Sequence, residues 1–281
     1  MTNLLDIDNV SKTFHTGMLF SRVRNDAVKS VSFSLSADKP EIFAIVGESG
    51  SGKSTLARMI LGNETPTSGS LKVQGRDVAA IRGRAAREAF MAQVQPIFQN
   101  PFEAFNPLTP LDFYLFMSAR RYCDARTATE QQKLADEALH LVGLTLAEVK
   151  GRYSHELSGG QLQRIAVARA LIPKPKLLVA DEPVSMVDAS LRMSIVNLFQ
   201  TLRDDLGVTI IYITHDLATA YYIADRVIIM RKGEVVESGD ARTVLANPQH
   251  PYSIALRNAV LPPDPASAAE IIRQRVDFAA V

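Results

Sequence analysis

The run Gly47-Glu48-Ser49-Gly50-Ser51-Gly52-Lys53-Ser54 constrains this chain more than any other feature. It fits the spacing GxxxxGK[ST]; the compact apolar run EIFAIVG (41–47) precedes it and a helical pattern from Lys53 to about Leu61 comes after it. Glycines let the backbone curl so that consecutive N–H groups point inward as an anion nest. The helix N-terminus adds the positive end of its dipole. Lys53 supplies a charge to β- and γ-phosphates, and the Ser54 hydroxyl can ligate Mg²⁺. The four fixed positions alone recur by accident in roughly one chain in a hundred of this length. The strand–loop–helix setting makes accident far rarer, so the chain is expected to bind a nucleoside triphosphate.

The remainder reads as a soluble α/β protein. The 281 residues allow one large domain or two small ones, and 47% hydrophobic with 22% charged residues excludes disorder as the dominant state. The net charge of +1 gives no global basic field for nucleic acid. The single cysteine, Cys123, excludes an intrachain disulfide and reads as a small hydrophobe. No apolar run approaches the roughly 18 residues of a membrane span, and MTNLLDIDNV does not resemble a signal peptide. A cytoplasmic chain is expected.

Strands are expected at 4–10, 27–36 and 41–47, with an exposed excursion at 15–25 between the first two. Short strands and turns come next at 64–80, and helices at 111–121, 128–142 and 160–171. The apolar strands KLLVAD (176–181), VTIIYIT (208–214) and RVIIMRKGEVVES (226–238) alternate with helices at 189–205 and 217–224. The last is a hairpin turning at Lys232-Gly233. Such alternation argues a mostly parallel sheet. LPPDP and a weakly amphipathic segment close the chain at 261–281.

Ligand sites in parallel sheets lie at the carboxyl ends of strands. There KLLVAD delivers Asp181 and Glu182, and VTIIYIT delivers His215. Acids after an apolar run also describe an ordinary strand end. Beside a phosphate loop, Asp181 is placed to reach Mg²⁺, and Glu182 to polarise attacking water near the γ-phosphate. His215 reads as a γ-phosphate sensor in this company.

One further motif fixes the class. Leu157-Ser158-Gly159-Gly160-Gln161, leading into LQRIAVARAL, is a second Gly/Ser nest at a helix start. It resembles the signature of ABC-type ATPases, and the resemblance covers about residues 4–255. That resemblance implies an α/β P-loop nucleotide-binding fold with a mostly parallel core sheet. It implies two additions to this core, an N-terminal antiparallel β-subdomain and an inserted α-helical subdomain (about 101–160). Residues 1–255 would form the ATPase domain and 256–281 a C-terminal extension. The resemblance also implies the roles of single residues. Phe14, in SKTF, stacks on adenine, and Gly47, Ser49, Gly50, Gly52, Lys53, Ser54 and Thr55 hold the phosphates. Ser54, Gln99 (in IFQNP) and Asp181 surround Mg²⁺, and Glu182, His215 and Gln99 serve hydrolysis of ATP. Ser158, Gly159, Gly160 and Gln161 close over the ATP of a second subunit in a head-to-tail dimer, with Asp188 in the loop that crosses between them. Val187 stands where the family usually has leucine.

IFQNPFEAFNPL, NPQHPYSIALRNAVLPPDP and the long excursion before AVKSVSFSLS are similar to oligopeptide, dipeptide and nickel importer ATPases. Some of these carry a C-terminal cysteine cluster; this chain lacks one, so no iron–sulfur cluster is implied. The implied partners are integral membrane permease subunits and a second ATPase chain, identical or not. The implied location is peripheral, on the cytoplasmic face of the inner membrane. Phe102, Phe105, Phe113, Tyr114 and Phe116 either line a groove for a permease helix or form the core of the helical subdomain. A soluble ATPase of an enzyme complex, as in the carbon–phosphorus lyase system, carries the same motifs and stays an alternative. A repair or translation ATPase would need coiled-coil insertions, tandem cassettes or a basic face, none of which is visible.

Overall fold

A computed structural model describes residues 3–16, 23–102 and 104–259. The expected final segment at 261–281 lies outside them, as do 17–22. Strands β1 (Asn3–Thr16) and β2 (Val23–Ser36) form one long antiparallel hairpin. The described ends of the stretch expected as an exposed excursion continue these strands, with Phe14 opposite Asn25 and Thr16 opposite Val23. Register shifts between Ile7 and Thr13 change which side chains face inward, so no single period runs along the strand.

Next come β3 (Ile42–Val46), α1 (Lys53–Ile60), β4 (Ser68–Val73), β5 (Arg76–Asp77), α2 (Arg84–Gln93) and β6 (Val94–Ile97). Helices α3 (Leu111–Tyr122), α4 (Ala128–Leu141), α5 (Leu146–Val149) and α6 (Gly159–Leu171) come after them. Then β7 (Leu177–Asp181), α7 (Ala189–Leu206), β8 (Thr209–Thr214), α8 (Leu217–Ile223), β9 (Arg226–Arg231) and β10 (Glu234–Asp240) alternate before α9 (Ala241–Ala246) and α10 (Pro251–Ala259). Helix α10 runs unbroken through residue 255. No described helix is long and apolar enough to cross a membrane.

Two sheets result. A four-stranded antiparallel sheet has the order β2-β1-β4-β5, and a six-stranded sheet the order β10-β9-β3-β8-β7-β6. In the larger sheet only the β9–β10 pair is antiparallel. It turns at Lys232 and Gly233, both at positive φ, as a two-residue hairpin requires. Strands β3, β7 and β8 read as unbroken apolar runs because both their faces are covered. Phe43, Ile45, Val179, Ile211 and Ile213 pack with Leu56, Met59 and Ile60 of α1 and with the small sheet. The alternate residues Ile42, Ala44, Val46, Ala180, Ile210 and Tyr212 pack against α6, α7 and α8. Each large apolar side chain so covered contributes about 1.5–3 kcal/mol.

Helices α3–α5 lie between β6 and β7 in the chain and share the second of these cores through Leu111, Leu115, Ala119, Ala135 and Leu139. Helix α4 starts with a capping box, in which the Glu130 N–H donates to Thr127 Oγ1 and the Thr127 N–H to Glu130 Oε2. The five aromatics of this region divide. Phe105 is buried, Tyr114 and Phe116 pack on the core, and Phe102 and Phe113 are about half exposed, at 47% and 50%. Cys123 packs on the same core, and burial pushes its thiol further from ionisation.

Candidate active site

The pairing registers bring four strand ends level. Val46 lies opposite Thr214, Ile213 opposite Asp181, and Ala180 opposite Ile97. The residues just beyond those ends, Gly47, His215, Glu182 and Gln99, therefore meet along one edge of the sheet. They line a cleft of about 1110 Å³ with Ser49, Gly50, Gly52, Lys53, Ser54, Thr55 and Phe14.

The loop from Gly47 to Lys53 is held by close backbone contacts. Gly52 has φ +105, and a Cβ there would run into the Ala27 carbonyl oxygen on β2. Only glycine meets both conditions. The Gly233 N–H donates to Ser51 O at 3.0 Å and the Lys29 N–H to Gly233 O at 2.8 Å, so the β9–β10 turn and β2 brace the loop from outside. Lys53 is 5% exposed; its ammonium donates to Gly47 O at 2.7 Å and Glu48 O at 2.8 Å. Burial lowers its pKa, and the negative charges of Glu182, Asp181 and Glu48 oppose that shift. An anion entering the cleft would meet an ammonium whose hydrogen bonds go to the neutral carbonyls of Gly47 and Glu48.

Glu182 leaves β7 with φ 47, an uncommon conformation for a residue with a side chain. Its N–H donates to Ile213 O at 2.8 Å, and Ser185 Oγ donates to its carbonyl at 3.0 Å. This turn puts the carboxylate between two partners. Gln99 Nε2 donates to Oε2 at 2.9 Å, and His215 Nδ1 lies 3.0 Å from Oε1. A carboxylate oriented from both sides and one residue beyond the strand is arranged as a general base for water.

Asp181 sits deeper and accepts a hydrogen bond from the Ser54 hydroxyl. Its pKa is raised, chiefly by burial; the Ser54 bond lowers it, Glu182 adds to the rise and Lys53 counters it. The hydroxyl, the carboxylate and the Gln99 amide are hard oxygen donors of the kind Mg²⁺ takes. A carboxyl raised in the folded state has its ionisation opposed by folding, so this group's contribution to stability falls as pH rises through that window. Asp181→Asn is therefore expected to raise the melting temperature of the nucleotide-free protein at neutral pH. Differential scanning fluorimetry reads that shift; an unchanged or lower melting temperature refutes it.

Phe14 stands on β1 at the cleft's rim, half-buried, with the Lys12 ammonium 4.9 Å from its ring centroid. Sequence reasoning missed Arg24, Asp26, Lys29, Lys232 and Leu256, which line the same cleft. They come from the hairpin, the β9–β10 turn and α10, and only long-range pairing brings them there.

The remaining predicted residues are elsewhere. Ser158 starts α6 with a capping box: Gln161 N–H donates to Ser158 Oγ at 3.3 Å, and Ser158 N–H donates to Gln161 Oε1 at 3.0 Å. Ser158, Gln161 and Asp188 are exposed and do not line the cleft. They share one surface, because α6 meets the turn before α7 closely. A Cβ on Gly159 would stand 3.3 Å from Met186 O, and one on Gly160 3.0 Å from Leu191 Cδ1.

Comparison with known proteins agrees with this geometry. Residues 28–185 match the family model described as ABC transporter. The oligopeptide transport ATP-binding protein AmiF of Streptococcus pneumoniae is 37% identical over 239 residues, 85% of this chain and 77% of that protein. A Brucella ovis ATP-binding protein named for peptide import is 38% identical over 96% of this chain and 82% of its own length. Among solved structures, an ATP-binding cassette dimer in a post-hydrolysis state with ADP and phosphate superposes with a TM-score of 0.74 at 28% identity, covering 85% of this chain and 99% of that one. The sheet order, the phosphate loop and these matches together place the chain in the ABC transporter family, as one of its ATPases.

Proposed function

We propose that this chain binds Mg-ATP in the cleft at Gly47–Thr55, closes on it with a second ATPase chain, and powers a membrane importer for peptides or a related small solute. The observation that carries the reading is the division of the motifs. The phosphate loop, Gln99, Glu182 and His215 share one cleft, whereas Ser158 and Gln161, at the two ends of the second nest, are exposed and do not line it. A second anion nest that faces out of its own chain's cleft suits the ATP of a partner. The peptide-import names of the relatives support the cargo class.

In this reading Lys53 exchanges the Gly47 and Glu48 carbonyls for phosphate oxygens, and the loop N–H groups hold the β-phosphate. Glu182 takes the proton of the attacking water while Gln99 and His215 hold that carboxylate in place. Ser54, Gln99 and Asp181 would hold Mg²⁺, whose chemistry is to neutralise charge on the phosphates. Phe98 and Phe102, 46% and 47% exposed on either side of Gln99 and Asn100, would offer the permease an apolar surface next to the site. The chain then sits peripherally on the cytoplasmic face of the inner membrane.

Ser158→Arg separates the two surfaces. The isolated variant is expected to bind ATP with wild-type affinity, because Ser158 lies outside its own cleft, while ATP-dependent association with its ATPase partner is lost. Fluorescent-nucleotide titration and sedimentation measure the two. Weakened binding by the isolated chain, or unimpaired association, contradicts the shared site.

A further inference from the structure

Helix α10 contacts the phosphate loop directly. The Glu48 N–H, the first in the loop after Gly47, donates to Tyr252 Oη at 3.0 Å across 204 residues of sequence. Tyr252 is 6% exposed, and the Arg231 guanidinium lies 5.0 Å from its ring centroid. The Glu48 carbonyl is held from the other side by Lys53 Nζ at 2.8 Å and Ser51 N at 3.2 Å. Lys53 Nζ also donates to Gly47 O at 2.7 Å, so the Gly47–Glu48 peptide is clamped between α10 and the residue that meets the phosphates. The helix is itself anchored: Glu237 on β10 accepts from the Gln249 N–H at 2.8 Å and the His250 N–H at 3.2 Å. His250 Nδ1 accepts from the Tyr252 N–H at 3.1 Å. One turn further on, Leu256 lines the nucleotide cleft.

We propose that Tyr252 is a positioning residue for the ATP site, and that α10 is one of that site's walls. A loop that turns its N–H groups toward an anion must find another partner for any N–H left outside the nest. Tyr252 supplies that partner for Glu48, and so fixes the point at which the loop leaves β3. Arg231 beneath the ring and the Glu237-anchored turn fix the tyrosine in its place. Losing the hydroxyl removes the outer of the two bonds that fix the Gly47–Glu48 peptide. The loop then has to be reordered each time nucleotide binds, and affinity falls before chemistry does. This proposal rests on the assignment of Gly47–Thr55 to ATP.

The test is Tyr252→Phe in the full chain, which keeps the ring over Arg231 and removes only the acceptor oxygen. ATP affinity is expected to fall about fivefold, the size of one net hydrogen bond, with a matching rise in KM and kcat within about twofold. Leu256→Ala, which leaves the hydroxyl in place, is the second variant and is expected to weaken ATP binding by thinning the wall. If Tyr252→Phe lowers the melting temperature but leaves ATP affinity and KM unchanged, the tyrosine only docks a helix and the proposal fails. Lys53→Met is run in parallel. If that variant still binds ATP normally, the assignment of the loop is at fault rather than the role of Tyr252.

Discussion

Glu182→Gln is expected to reduce ATP turnover by at least about 100-fold while ATP affinity stays within about twofold of wild type. The amide keeps the size of the side chain and can still meet Gln99 at 2.9 Å, and His215 with its neutral tautomer at 3.0 Å, so the cleft keeps its shape. It cannot accept a proton from water. The backbone cost at φ 47 is unchanged by the substitution, so the melting temperature should barely move. Phosphate release with enzyme in the presence of its partner chain measures turnover, and nucleotide titration measures affinity. Turnover within about threefold of wild type would remove Glu182 from the role of base, leaving it as a ligand for its two neighbours.

Lys53→Met is expected to give the opposite pattern, with affinity for ATP falling roughly 100-fold, about 3 kcal/mol, as two charge-assisted phosphate contacts are lost. Stability without nucleotide is held. Burial already opposes the ammonium's charge, and a native pKa below the ordinary value means that ionisation costs folding energy at neutral pH. Methionine keeps most of the aliphatic stem and removes that cost, against the loss of two hydrogen bonds to Gly47 and Glu48. Isothermal titration with ATP and a thermal melt without it check both halves. A variant that unfolds would show Lys53 to be structural cement for the loop.

Most of the site was legible because its chemistry is local in sequence. The glycine spacing, the strand before it and the helix after it lie within about twenty residues, and each acid or histidine comes directly after an apolar run. The helix starts near Thr127 and Ser158, where capping boxes stand, were legible; α5, which has one at Thr145, was not, because its four residues are too short to show a period. Strand β6 was not. It has four residues, one of them Pro96, which the sheet tolerates because β6 is an edge strand and needs no partner on one side. Helix α2 was missed because only Phe90 of its sequence, RAAREAFMAQ, is buried, so no apolar period marks it. The hairpin ends at 14–16 and 23–25 pair in unbroken register, but FHT and VRN carry no apolar–polar alternation of their own, and the register shifts between Ile7 and Thr13 cut them off from the pattern of the strand before them. The tie between Glu48 and Tyr252 could not be read at all, since only the folded sheet brings α10 to the loop.

Copurification tests the importer assignment most directly. The tagged chain is drawn from its native host's membranes in mild detergent, and its partners are identified by mass spectrometry. Recovery of a multi-span permease, with a second ATPase chain or a second copy of this one, is the predicted result. Recovery of soluble enzyme subunits alone would contradict it, and would assign the same ATP-driven clamp to the remodelling of a cytoplasmic complex.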